Sequence, residues 1–147
     1  MYIYVDRPCA DLAPGARFLV AAMREWVAAT QAGRCSCRAL APGFGAAGAR
    51  DILPHFQMMM AVLNRDGLNA LRFGGRCRPT VVEDEAVLLG LLDRAAGGLS
   101  CLAAARALVA PAMAPILVRA LGAVAAGLLA PPPGHGADGG KAEEDDR

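Results

Sequence analysis

Residues 80–92 read Thr80-Val-Val-Glu-Asp-Glu-Ala-Val-Leu-Leu-Gly-Leu-Leu92, a stretch that predicts both the start and the body of a buried helix. Thr80 and Glu83 have the spacing of a capping box, in which two side chains bond the free N–H groups of a first helical turn. The next two residues are also acidic and suit the positive end of a helix dipole. The rest of the stretch is almost entirely apolar, so we expect this helix to lie inside the protein and to end at Gly97.

Another amphipathic helix is predicted from Pro14 to Gly33. Proline favours the first turn of a helix, and glycine favours the position just beyond its end. Large apolar residues recur at the helical spacing and form one face, which includes Leu19, Met23 and Trp26. Arg24 is assigned to the opposite, polar face.

Three more helices follow from the same signals. One spans Asp51 to Asn64, and its broad methionine-rich stripe indicates a central position. Another begins at Ser100 and runs to about Ala110, and a last one runs, after two prolines, to Leu129. Residues 34–48 are punctuated by proline and glycine, so we predict a loop there.

The composition indicates one compact all-α domain. The chain has 147 residues, of which 55% are hydrophobic and only 5% aromatic, so the core must consist mainly of aliphatic side chains. We therefore predict four to five helices in a bundle-like domain over residues 1–130. A short strand at residues 2–5 could pair with residues 70–73 as a two-stranded ribbon. Residues 131–147 are rich in proline, glycine and acids, and we expect a disordered tail.

Net charge, the N-terminal sequence and the number of cysteines limit which partner and which compartment we expect for this protein. Residues 138–147 hold five acidic and two basic residues, a net charge of −3, which leaves +4 on residues 1–137. This bias is too weak to predict a nucleic-acid partner. The N-terminus lacks the pattern of a signal peptide, and five cysteines are an odd number that suits reduced thiols. We expect a cytoplasmic protein.

Residues 11–92 also carry a series of recurring elements. They are an arginine-bounded first helix, a Phe-Gly loop, a methionine- and leucine-rich middle helix, and a basic loop that enters an acidic helix start: Arg17-Phe-Leu-Val-Ala-Ala-Met-Arg24, Phe44-Gly45, Arg76-Cys-Arg-Pro-Thr80 and Asp84-Glu-Ala-Val-Leu-Leu89. In these elements the chain resembles a family of small helical proteins of alphaproteobacteria that forms a domain of unknown function. The resemblance implies a bacterial, helical protein and no particular activity.

Three cysteines form the candidate metal site. Cys35 and Cys37 lie one residue apart in the first predicted loop, and Cys77 lies in the second. Thiolates are preferred ligands of Zn²⁺, and a third or fourth ligand from Cys77, Cys9 or His55 would close a tetrahedral site. The arginines beside the first two cysteines would favour thiolates, which leaves a thiol-redox role as an alternative. Ordinary reduced cysteines are the remaining interpretation.

The basic loop over residues 65–79 is the candidate anion site. Arg72, Arg76 and Arg78 surround Phe73 there, and such a loop can hold an anion or RNA. Nearly all basic residues of this chain are arginines, however, which is typical of a GC-rich genome and favours a merely solvated loop. No nucleophile, base and acid occur in a recognisable catalytic pattern, so we predict no enzymatic activity.

The apolar C-terminal segment is the candidate surface for binding a partner protein or a membrane. Residues 107–130 are long enough to cross a membrane, with Arg119 as their sole charge. Two prolines, many alanines and a one-sided pattern of large residues favour a packed helix or an oligomer face instead. We therefore predict a non-enzymatic helical module that binds a protein partner, or itself, through this helix. The alternatives are a cysteine-based metal or thiol protein and a membrane-associated protein.

Overall fold

The computed structural model describes residues 3–130, and this part of the chain contains six α-helices and no strand. The all-α prediction is therefore confirmed. Single 3-10 turns at Cys9–Asp11 and Pro111–Met113 precede the first and the last of these helices. The six helices are α1 (Pro14–Gln31), α2 (Ser36–Ala46), α3 (Leu53–Arg65), α4 (Glu83–Ala96), α5 (Leu102–Leu108) and α6 (Ala114–Leu128). The tail predicted at residues 131–147 lies outside the described residues.

Proline and glycine mark the ends of α1 and α3 as expected. Pro14 is the first residue of α1, and Pro54 lies in the first turn of α3, where a missing N–H costs nothing. Gly33 follows α1 with a φ of 68°, a left-handed conformation that glycine adopts without strain. The apolar stripe of α1 is buried, as its spacing predicts.

Helix α2 replaces the loop that was predicted at residues 34–48, so that prediction is wrong. Glycine and proline are poor helix formers, and Pro42 lies inside this helix. Leu40 and Phe44, four residues apart, are nevertheless buried on its inner side. The ring of Phe44 meets those of Phe18 and Phe56 at centroid distances of 4.9 and 5.3 Å. Aromatic packing against α1 and α3 thus outweighs the weak local propensity.

The ribbon predicted between residues 2–5 and 70–73 is also wrong. Residues 3–6 form a turn, and the chain after it runs antiparallel to residues 79–81. The N–H of Asp6 donates to the carbonyl of Val81 at 3.0 Å, and the N–H of Val81 donates to Arg7 at 2.9 Å. Residues 72 and 74 donate their N–H groups to carboxylates at the start of α4 and not to the N-terminal segment.

Tyr4 attaches the N-terminal segment to α4. Its hydroxyl donates a hydrogen bond to the carboxylate of Asp93. Burial, and then the hydrogen bond to Asp93, raise the pKa of Tyr4 to about 12. The phenol therefore stays protonated, and able to donate, throughout the neutral range.

Helices α3 and α6 form the centre of the domain. Helix α6 packs against α3, α4 and α5, and Leu117, Leu121 and Val124 are fully buried there. Gly127 permits this packing, since a Cβ at that position would collide with the side chain of Ile52. The apolar face of the C-terminal helix is thus largely used inside the domain.

Candidate functional site

A buried ion pair between Arg24 of α1 and Glu85 of α4 organises the segment that leads into α4. The two residues are only 5% and 0% exposed. Arg24 Nε lies 2.8 Å from Glu85 Oε1, and Nη2 lies 3.0 Å from Oε2, so the contact is bidentate. The hydrogen bonds with Glu85 raise the pKa of Arg24 above its ordinary value. The guanidinium is therefore a permanent charge inside the domain.

The guanidinium of Arg24 also holds the backbone of the preceding loop. It donates to the carbonyl oxygen of Arg78 at 2.6 Å and to that of Thr80 at 2.8 Å. Gly74 is required beside it, because a Cβ at that position would lie 2.8 Å from Arg24 Nη2. A buried charge is tolerated only when its hydrogen-bonding groups are satisfied, and here backbone carbonyls complete the set.

The carboxylate of Glu85 accepts hydrogen bonds from backbone N–H groups of the same loop. It accepts from Gly74 at 2.8 Å and from Val82 at 2.9 Å. The second bond caps α4, which begins at Glu83. Thr80 is therefore not the N-cap, and the predicted capping box is displaced by two residues: its glutamate is Glu85, and it caps Val82. The helix starts later because Thr80 and Val81 are held in the pairing with the N-terminal segment.

A cleft of about 670 Å³ opens between α1, α3 and residues 67–73. Its floor consists of the buried side chains of Trp26, Met60 and Leu63. Leu68 lies at its edge with 55% of its surface exposed. A concavity of this volume, in which polar and apolar surface have similar shares, is in the size range of ligand-binding sites.

The rim of the cleft is polar and carries a single charge. Thr30, Gln31, Asn64 and Asn69 contribute hydroxyl and amide groups. Arg72 is the one charged residue in the lining, and its side chain forms no ion pair with any residue from 3 to 130. The cleft therefore favours an apolar group that carries a negative charge nearby.

The indole of Trp26 is fixed by hydrogen bonds between three helices. Its Nε1 donates to Gln57 Oε1 at 2.8 Å, and Ser36 Oγ donates to the same oxygen at 3.0 Å. Gln57 Nε2 is buried and has no hydrogen-bond partner among residues 3–130. Sequence reasoning did not identify Gln57, because an isolated glutamine in an apolar helix resembles a surface residue.

The three candidate anion-binding arginines do not form one site. Arg72 borders the large cleft, whereas Arg76 and Arg78 line a second cavity of about 300 Å³ together with Arg17. Glu25 lies in the same cavity, and its carboxylate oxygen is 2.9 Å from Arg76 Nε. The basic loop is divided because its backbone is pinned between α1 and α4, which sends successive side chains to different surfaces.

The three candidate zinc ligands are exposed free thiols. Cys35 lies in the connection before α2, as predicted, whereas Cys37 lies in the first turn of α2 and not in a loop. Among residues 3–130, no group of three or more histidines, cysteines, aspartates and glutamates is placed to hold a metal ion. The structure therefore does not join Cys77 to the other two, and it adds no support for a zinc site.

The C-terminal segment satisfies one criterion for a membrane helix. Pro111–Leu128 is long and apolar enough to span a bilayer by length and composition, a test that core helices of soluble proteins also pass. Its largest apolar side chains face α3, α4 and α5, and Ile116 is the large apolar residue that α6 exposes. A third of the residues of Pro111–Leu128 are buried and the others are partly or fully exposed, so self-association through α6 stays a prediction.

Comparisons of this chain with protein-family models, with curated proteins and with solved structures found no match. A functional assignment must therefore come from the fold and its surface.

Proposed function

We propose that the protein is a non-enzymatic binding module that receives an apolar segment of a partner protein in the cleft between α1, α3 and residues 67–73. The observation that carries this proposal is the apolar floor of the cleft beneath the exposed side chain of Leu68. A bound apolar group would remove this leucine surface from water, which favours binding.

The chemistry of the lining favours binding over catalysis. The residues around the cleft include no cysteine, histidine, aspartate or glutamate. A nucleophile or a general base would normally come from these types. The amides of Gln31, Asn64 and Asn69 can instead donate to and accept from the backbone of a bound chain.

The interaction energy expected of Leu68 is sufficient to measure. Full burial of a leucine side chain contributes about 1.5–3 kcal/mol to binding. Leu68 is about half exposed in the free protein, so part of this energy is available when a ligand covers it. A change of 1.4 kcal/mol alters a dissociation constant about tenfold. An introduced carboxylate would add the cost of burying a charge.

Peptides selected from a random phage-displayed library on the folded protein test the proposal. We expect Leu68→Asp to weaken the selected peptides by at least about tenfold in isothermal titration calorimetry. Met58→Asp is the matched control, because Met58 is also an exposed apolar residue, at 49%, and does not line the cleft.

Two outcomes would contradict the proposal. One is a selection that yields no peptide binding to the folded protein. The other is an equal effect of the two substitutions, which would place the peptide elsewhere on the surface. Circular dichroism of both variants shows whether each remains folded.

A further inference from the structure

The backbone beside the cleft is bound to the start of α4 through alternate N–H groups. The N–H of Arg72 donates to Asp84 Oδ2 at 2.6 Å, and the N–H of Gly74 donates to Glu85 Oε1 at 2.8 Å. Both carboxylates belong to the first turn of α4. Two N–H groups that are two residues apart and face the same helix indicate the alternation of extended backbone.

The other set of backbone groups is left free. The N–H groups of Leu71 and Phe73 form no hydrogen bond with any residue from 3 to 130. In extended backbone these groups point away from α4. Side-chain exposure also alternates, because Leu71 and Phe73 are half-buried against the core whereas Arg72 is exposed. The segment therefore resembles an unpaired edge strand held in place by α4.

We propose that an extended segment of the partner protein pairs with the backbone of residues 71–73 and adds a strand along this edge of the cleft. This inference rests on the proposed function and specifies its geometry. Unpaired N–H and C=O groups on an extended edge are a template for strand addition. The incoming strand would satisfy the N–H groups of Leu71 and Phe73.

The lining of the cleft defines the chemistry of this partner. Alternate side chains of an added strand point to one face, and those that enter the cleft meet Trp26 and Leu68 and should be apolar. Arg72 lacks an ionic partner among the described residues, so an acidic residue opposite it is favoured. The expected segment is short and extended, with apolar residues at every second position and an acid between them.

A helical partner is less suited to this edge. A helix satisfies its own backbone groups internally, so it would cover Leu71 and Phe73 without offering them acceptors. A buried N–H group without an acceptor opposes binding. An extended chain avoids this cost because its own carbonyl groups are available.

Amide hydrogen exchange tests the inference, with one of the selected peptides as the probe. In the free protein we expect the amides of Arg72 and Gly74 to exchange slowly and those of Leu71 and Phe73 to exchange fast. Saturation with the peptide should slow Leu71 and Phe73 by at least about tenfold, since they then become hydrogen-bonded. Methylating the peptide backbone nitrogens one at a time should abolish binding at alternate positions only.

The results separate this inference from the proposed function. One such result is peptide binding that requires Leu68 while the amides of Leu71 and Phe73 still exchange as in the free protein. That result would overturn strand addition and leave the cleft as the proposed binding site. The same conclusion would follow if methylation were harmful at a helical spacing of three and four residues. Binding that does not depend on Leu68 would overturn the proposed function itself.

Discussion

Replacing Glu85 by alanine should lower the free energy of unfolding by about 3–5 kcal/mol, the usual cost of removing one partner of a buried ion pair. The guanidinium of Arg24 would remain buried without its counter-charge. The N–H groups of Gly74 and Val82 would lose their acceptor as well. Urea denaturation followed by circular dichroism measures this loss.

Glu83→Ala is the control for this substitution. Glu83 lies in the same first turn of α4 but is exposed, so its removal eliminates only an interaction with the helix dipole. That interaction contributes roughly 0.3–1 kcal/mol. Similar losses in the two variants would show that the buried pair does not hold α1, α4 and the intervening loop together.

Phe44→Ala should destabilise the protein by about 3–5 kcal/mol, the range observed when a buried phenylalanine is truncated. Phe44 is fully buried, and its ring packs edge-on against Phe18 and tilted against Phe56. The alanine variant would leave a cavity between α1, α2 and α3. Thermal and urea denaturation of the purified variant give the change in stability.

Phe44→Leu separates loss of volume from a general defect in α2. Leucine leaves a smaller cavity than alanine, so we expect a clearly smaller loss of stability than in Phe44→Ala. A Phe44→Ala variant as stable as the wild type would mean that α2 is not docked. The loop that the sequence pattern predicted at residues 34–48 would then be the better description.

The sequence predicts those helices whose ends carry local signals. Pro14 and Gly33 bracket an apolar stripe, and similar signals place α3 and α6 to within a few residues. Helix α2 escapes such reasoning because Pro42 and its neighbouring glycines are read as loop residues. The burial of Phe44 that stabilises α2 depends on helices distant in the sequence, which no local pattern contains.

The ion pair and the cleft also could not be predicted from local sequence patterns, because both depend on tertiary packing. Arg24 and Glu85 lie 61 residues apart, and the sequence pattern places Arg24 on the polar face of its helix and Glu85 at the positive end of a helix dipole. One local signal was present for Arg24, which lies between Val20 and Val27 at helical spacing and thus on a partly buried face. The cleft is formed by three segments that are distant in the sequence, and the concavity exists only once they pack together.

The most direct test of the cleft as the binding site is the indole N–H resonance of Trp26. The protein has one tryptophan, so this signal needs no assignment, and the ring lies on the floor of the cleft. On titration with a selected peptide, we expect the resonance to shift until saturation, with the dissociation constant that calorimetry gives. Leu68→Asp should raise the dissociation constant by the same factor in both measurements. An indole resonance that stays in place while the peptide binds would contradict this account.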